Sequence, residues 1–300
     1  LLDDAATRLG LGTVQFGLDY GIANRGGKVE PAEAARIVDR ALDAGLRCFD
    51  TAAAYGDSEE VLGRILRHPD ARIVSKLPPA GGEAVDEAAI DLLRRTVDRS
   101  LMRLRRDRLY GLLLHRPDDL NKPGGEKLAR LLDDLRSSGV CAKVGVSVYE
   151  RRQIEFARRH LRLDLVQAPA NLLDQRLLRD DSLQRLKDDG CEVHVRSAFL
   201  QGLILASPSQ LPDYFKPYRD AIERLRRAAA GAGMPMPALA LGFLLSQPAI
   251  DRVIVGVTSA AELAEILAAA RAPAPLPAAL EKLASDDPGL VDPSRWPARA

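Results

Sequence analysis

Cysteine is scarce in this chain: Cys48, Cys141 and Cys191 are the only three in 300 residues. An odd number without CxxC spacing argues against a disulfide framework and against a zinc site. Each lies beside an apolar run, where a small buried thiol packs well. Histidine is nearly as scarce, with four residues. That is too few for a multi-His metal site, so no metal is expected. A surplus of one charge is also missing. Lys and Arg total 43, Asp and Glu total 42, and the formal net charge is +1. Nucleic-acid binders usually carry a basic excess, so nucleic acid is not an expected partner. The local run Arg103–Leu104–Arg105–Arg106 reads as a solvated helix face. No stretch approaches about 18 consecutive apolar residues, so no membrane span is expected. The start Leu1–Leu2–Asp3–Asp4 is acidic and lacks an apolar leader core, so the cytoplasm is the expected location. Two nucleotide motifs are absent as well. Gly10–Leu11–Gly12–Thr13–Val14–Gln15 begins like GxGxxG but ends in Gln15, and no P-loop pattern occurs.

What is present is a folded composition, 46% apolar and 28% charged, with length for one large domain or two ordinary ones. One pattern repeats along it. Eight short β-rich runs alternate with longer amphipathic ones: Leu9–Thr13, Arg47–Thr51, Arg72–Lys76, Leu109–His115, Ala142–Val148, Asp164–Ala168, Glu192–Ser197 and Arg252–Gly256. Most are near-continuously apolar, as strands buried on both faces of a parallel sheet must be. Between them lie helical patterns. Pro31 opens one that ends at Gly45, Ser58 is placed to cap Glu59–Leu66, and others run over Asp86–Leu104, Glu126–Ser138, Glu150–His160, Asp181–Asp189, Tyr218–Ala230, Pro237–Ser246 and Ala260–Ala270. A doubly wound open sheet is the competing architecture. Eight βα units without a dividing linker fit a closed (β/α)8 TIM barrel better. The expectation is therefore one domain over residues 1–300, its core at about 7–270. A C-terminal helix and tail over 271–300 follow the breaker segment Ala272–Pro277 and are placed to fold across a barrel face.

In such barrels function gathers at the C-terminal strand ends. The polar residues there are Asp50, Lys76, His115, Ser147, Gln167 and Ser197, with Tyr55 in the loop after the second strand. Asp50, Tyr55, Lys76 and His115 would converge on one rim. A free phenol has a pKa of about 10 and is a poor acid near neutrality. A neighbouring ammonium stabilises its phenolate. Asp50 would hold Lys76 charged, and His115 would orient a substrate oxygen. Such a group delivers a proton but no electrons, so a reduction needs a hydride carrier. Plainer readings stand beside this one: a snorkelling Lys, a hydrogen-bonded structural His, a Tyr that caps the core and an Asp that caps a helix.

The segments Leu11–Gly12–Thr13, Cys48–Phe49–Asp50–Thr51–Ala52–Ala53–Ala54–Tyr55–Gly56, Ser75–Lys76–Leu77, Leu114–His115–Arg116–Pro117 and Val144–Gly145–Val146–Ser147 resemble the aldo-keto reductases, in order and spacing, from about residue 7 to 270. The resemblance implies nicotinamide-dependent reduction of an aldehyde or ketone, or the reverse, without a metal. It carries a catalytic tetrad onto Asp50, Tyr55, Lys76 and His115, with Tyr55 as general acid. It carries cofactor contacts onto Gly12, Thr13, Ser147, Gln167 and Asn171, although Asn171 also reads as a loop cap. It gives the diphosphate the backbone Ser197–Gly202, with Phe199, Gln201 and Gly202. Relatives often stack an aromatic residue under the nicotinamide where this chain has Arg196. Arg196 is open to three readings: a contact to the diphosphate, a contact to an anionic substrate, or a rim salt bridge. In the eighth unit Gly256, Thr258, Glu262 and Glu265 meet the adenosine end. NADPH is the family default. No base is present there to hold a 2′-phosphate, and an acid accepts from a free 2′-hydroxyl, so NADH or dual use is also expected. Glu262 also reads as a solvated first-turn residue. Phe16, Tyr20, Tyr149 and Trp296 are candidate substrate walls, beside a Gly-rich loop Leu18–Gly27 that reads as mobile. The expected partner is a small carbonyl or alcohol; the oligomeric state is not legible. Two other functions fit the same barrel: a non-catalytic nicotinamide-binding regulator and a Lys76 Schiff-base lyase or aldolase.

Overall fold

A computed structural model describes residues 3–207, 211–272 and 275–297. Leu1, Leu2 and residues 273–274 of the breaker segment lie outside it, as do 298–300. The eight strands are β1 (Leu9–Gly12), β2 (Cys48–Asp50), β3 (Arg72–Leu77), β4 (Leu109–Leu114), β5 (Cys141–Ser147), β6 (Leu165–Pro169), β7 (Glu192–Arg196) and β8 (Arg252–Gly256). They close into a barrel in chain order, and β8 pairs with β1. Every pair is parallel, including the closing register Gly12↔Gly256. This is the (β/α)8 TIM barrel that the alternation predicts.

The apolar strand residues divide between two cores. Val74, Leu113 and Leu165 form a separate cluster inside the barrel, with Tyr110 packed on it. The larger core lies between strands and helices. Helix Pro31–Asp43 shows how the sequence builds the outer layer. Proline occupies its first turn, where a missing N–H costs nothing, and Ala34, Ile37, Val38 and Ala41 bury one stripe completely. Each large side chain so buried contributes about 1.5–3 kcal/mol. Asp86 caps helix Glu87–Leu104 by accepting from Ala89 N at 2.8 Å.

Ser58 departs from its expected role. Helix Ser58–Ile65 begins after Asp57, and the Ser58 hydroxyl turns inward instead. It donates to Thr13 O at 2.7 Å and lies 2.8 Å from Thr13 Oγ1 and 3.1 Å from Thr51 Oγ1. A buried hydroxyl must find partners, and these hydroxyls tie the upper ends of β1 and β2 together. Gln175 Nε2 donates to Leu280 O at 3.0 Å, and Trp296 packs edge-on to Phe215 at 4.9 Å. The tail thus packs on the segments that follow β6 and β7.

Candidate active site

The C-terminal ends of the strands open into a cleft of about 400 Å³. Asp50 ends β2, Lys76 sits one residue from the end of β3, and His115 follows β4. Lys76 is 1% exposed, and its ammonium donates to Asp50 Oδ1 at 2.8 Å, Asp50 Oδ2 at 2.7 Å and Thr51 O at 2.9 Å. A side-chain hydrogen bond with Tyr55 adds to these three acceptors. Burial alone would discharge Lys76. The Asp50 carboxylate, with Tyr55 beside it, outweighs burial and holds the amine above its ordinary pKa. Gln167 Nε2 also donates to Asp50 Oδ1, at 2.7 Å, which fixes the carboxylate from the opposite side of the barrel.

Tyr55 lies over this pair. Lys76 Nζ is 5.1 Å from the centre of its ring. His115 meets the same ring edge-on at 5.8 Å between centres. Burial, then the charges of Lys76 and Arg196, push the His115 imidazole down from 6.5 to about 4. It is therefore neutral at pH 7 and keeps one donor and one acceptor nitrogen. A phenol and an imidazole thus face one cleft, with a buried ammonium behind the phenol.

The other wall of the cleft is backbone under strain. Ser197, Leu200 and Gln201 have φ of +62°, +48° and +55°, and Gly202 has +89°. Left-handed non-glycine residues cost of order 1–3 kcal/mol each, and such strain clusters at functional sites. A Cβ at Gly202 would lie 2.5 Å from Ala23 Cβ, so this turn admits only glycine against the loop Leu18–Gly27. Asn24 closes that loop on itself. Asn24 Nδ2 donates to Gly27 O at 2.8 Å and Tyr20 O at 3.2 Å, and Asn24 Oδ1 accepts from Gly26 N at 2.9 Å.

The sequence matches the aldo/keto reductase family over residues 8–278. The chain belongs to that family. It is 33% identical to 6-dehydroglucose reductase of Novosphingobium aromaticivorans over 78% of this chain and 79% of that one. It is 28% identical to D-threo-aldose 1-dehydrogenase of a Pseudomonas species over 88% of this chain and 91% of that one. The holo form of an aldo-keto reductase from Bacillus halodurans superposes with a TM-score of 0.75, covering 96% of this chain and 95% of that one, and shares the barrel at 22% identity. The chemistry is accordingly that of an oxidoreductase of this family.

In this aldo/keto reductase the cleft is lined by Gly12, Thr13, Tyr20, Asp50, Tyr55, His115, Tyr149, Arg196, Ser197, Phe199, Gln201, Gly202, Gly256, Thr258 and Glu262 among the expected residues. Seven expected residues do not line it; Lys76 and Gln167 lie buried behind Asp50, and the other five are placed as follows. Phe16 is completely buried, because it enters the core as its short helix turns away from β1. Trp296 belongs to the tail, where Gly289 O accepts from its indole at 3.0 Å. Glu265 is exposed one turn beyond Glu262 on the same helix and does not line the cleft. Ser147 is buried beside Gln167 in the β5–β6 register. Asn171 is the loop cap: its Oδ1 accepts from Leu173 N at 2.9 Å and Asp174 N at 2.8 Å, and its Nδ2 donates to Ser197 O at 3.1 Å. Its amide indirectly anchors the strained turn.

Glu262 is partly committed too. Its Oε2 accepts from Thr258 N at 2.7 Å and Thr258 Oγ1 at 3.1 Å, while Ser259 caps the same helix by accepting from Glu262 N. Arg196 forms no rim salt bridge among the described residues. It stacks on the Tyr149 ring at 4.2 Å and donates to Val148 O at 3.0 Å. Gln15 was missed as a site residue. It lines the cleft, and its Oε1 is a buried acceptor without a partner. Its amide sits where a Cβ on Gly256 would intrude, 2.8 Å away. The one available signal was its place at the start of the first βα loop, two residues after Thr13.

Proposed function

We propose that this chain reduces an aldehyde or ketone to an alcohol, or runs the reverse, with a nicotinamide dinucleotide and with Tyr55 as general acid. The observation that carries the reading is the Asp50–Lys76 pair lying beneath Tyr55, next to a neutral His115. Lys76 supplies positive charge at the position where a phenolate forms as Tyr55 gives up its proton. The paired Asp50 carboxylate keeps that amine charged. His115, uncharged, donates a hydrogen bond to the substrate oxygen and does not compete with Tyr55 as an acid. General acid help of this kind contributes about 10²–10⁴-fold.

The residues present suit a dinucleotide. Gln15 Oε1 and Gln167 Oε1 are buried acceptors without partners, which fits the donors of a carboxamide. The left-handed run Ser197–Gly202 offers backbone to a diphosphate. When bound, the dinucleotide supplies the hydride that no side chain provides. At the Thr258–Glu262 end no cation lines the cleft among the described residues, and Glu262 is an acceptor. This favours a free 2′-hydroxyl over a 2′-phosphate, so NADH is accepted alongside the family-default NADPH. Two relatives named for sugar substrates support a small polar carbonyl as the substrate class.

A Schiff base on Lys76 requires a neutral, accessible amine, and Lys76 is neither. Fluorescence titration with both dinucleotides, followed by a carbonyl and alcohol panel, tests the reading. The expected result is tight dinucleotide binding and turnover in the panel. Binding without turnover would support a non-catalytic nicotinamide-binding barrel, and borohydride trapping of Lys76 without dinucleotide would support the lyase.

A further inference from the structure

Arg196 is charged, half-buried and without an acidic partner among the described residues. Asp50 is paired with Lys76, and Glu262, hydrogen-bonded through one oxygen to Thr258, makes no ion pair with Arg196 among the described residues. Arg196 therefore leaves one uncompensated positive charge in a partly dry space. Leaving a charge so placed costs stability unless something pairs with it. Stacking on Tyr149 at 4.2 Å offsets only part of that cost.

The position of this charge is well defined. Arg196 ends β7, its guanidinium donates to Val148 O at 3.0 Å, and the next residue, Ser197, is locked at φ +62°. Val148 and Ser197 Oγ take two of the five guanidinium N–H groups among the described residues, the latter at a long 3.4 Å. The guanidinium lines the same cleft as Tyr55 and His115.

We propose that Arg196 is the specificity residue of this cleft, and that it receives the carboxylate of an anionic carbonyl substrate whose oxygen lies at Tyr55 and His115. The proposal rests on the oxidoreductase reading above and narrows its substrate class. A planar guanidinium fork matches a carboxylate in two parallel hydrogen bonds. One uncompensated charge balances a monoanion, whereas a phosphate dianion calls for a second cation that no lining residue supplies. Sugar acids and short oxo acids satisfy these conditions.

The test compares acid and neutral partners of matched shape: D-glucuronate with D-glucose, and succinic semialdehyde and 4-carboxybenzaldehyde each with its methyl ester. The wild type is expected to favour the acid in at least one pair. Arg196→Leu should lower kcat/KM for that acid, through KM, by about 10–100-fold more than for its neutral partner. Arg196→Lys, which keeps the charge and loses the fork, should fall between. Dinucleotide affinity should be unchanged in both variants. The proposal is overturned if no acid is preferred, if acid and neutral partner fall equally, or if Arg196→Leu weakens dinucleotide binding instead. Calorimetric titration of the acids against wild type and Arg196→Leu, with dinucleotide present, judges the carboxylate site separately. Loss of acid binding in Arg196→Leu supports the site even if the protein turns over nothing, and equal binding refutes it.

Discussion

The two ends of the barrel hold the same four kinds of side chain and use them differently. At the C-terminal end these are Asp50, Lys76, Tyr55 and His115. At the N-terminal end they are Glu192, Lys143, Tyr110 and His194. In the lower set everything converges on one carboxylate. Tyr110 and Lys143 both donate to Glu192 Oε2, and His194 Nε2 donates to Glu192 Oε1 at 2.8 Å. Burial pushes Glu192 up, but the bonds from His194, Lys143 and Tyr110 prevail and hold it well below the carboxylate range. In the upper set the carboxylate is satisfied by Lys76 and Gln167, so the phenol and the imidazole face the cleft. A closed network holds the lower end of the barrel together. An open one leaves a phenol and an imidazole lining the cleft. Residue type alone does not distinguish them; position along the strand does.

The comparison can be broken from either end. The largest effect is expected at Lys76. Lys76→Met strands a buried carboxylate, which costs about 3–5 kcal/mol. It should also remove most turnover, read as kcat on protein shown by circular dichroism to be folded. Wild-type kcat in that variant would detach Lys76 from the chemistry. Glu192→Gln should cost less, about 1–3 kcal/mol in urea unfolding, because Lys143 is 31% exposed and already partly solvated. Its kcat should match wild type, and a large loss would mean that the lower network reaches the cleft.

His115 sharpens the contrast through pH. Its folded pKa of about 4 lies below the ordinary 6.5, so the unfolded chain binds the extra proton between these values. Stability therefore rises with pH across that window and falls as pH drops from 6.5 toward 4. His115→Gln should flatten this part of the profile. An identical slope in the variant would show that other groups govern it. The smallest effect is expected at the adenosine end. Glu262→Arg should move preference toward NADPH by a few-fold, about 1 kcal/mol, measured as the ratio of the two dissociation constants; an unchanged ratio removes Glu262 from dinucleotide choice.

Much of this was legible in the sequence, for identifiable reasons. Parallel barrel strands are buried on both faces, so runs such as Leu112–Leu113–Leu114 and Val253–Ile254–Val255 stand out without alternation. Once the strands are placed, their final residues name Asp50, Lys76 and His115. What the sequence hid were residues whose role depends on direction. Ser58 follows the cap position and bonds inward to Thr13, and Asn171 divides its amide between its own loop and Ser197 O. Phe16 and Trp296 have the size of pocket walls and pack elsewhere. The lower network escaped notice because its members open their strands, where a barrel places stability rather than chemistry. Gln15 escaped because its unpaired oxygen exists only once Gly256 is packed against it.

The central claim is that Tyr55 hands over the proton while Tyr110, its counterpart below, only holds structure. The most direct measurement pairs Tyr55→Phe with Tyr110→Phe, following single-turnover reduction and dinucleotide binding in each. Tyr55→Phe should lose about 10²–10⁴-fold in rate with dinucleotide affinity intact, and Tyr110→Phe should keep its rate. Full activity in Tyr55→Phe, or equal loss in both variants, would contradict the account.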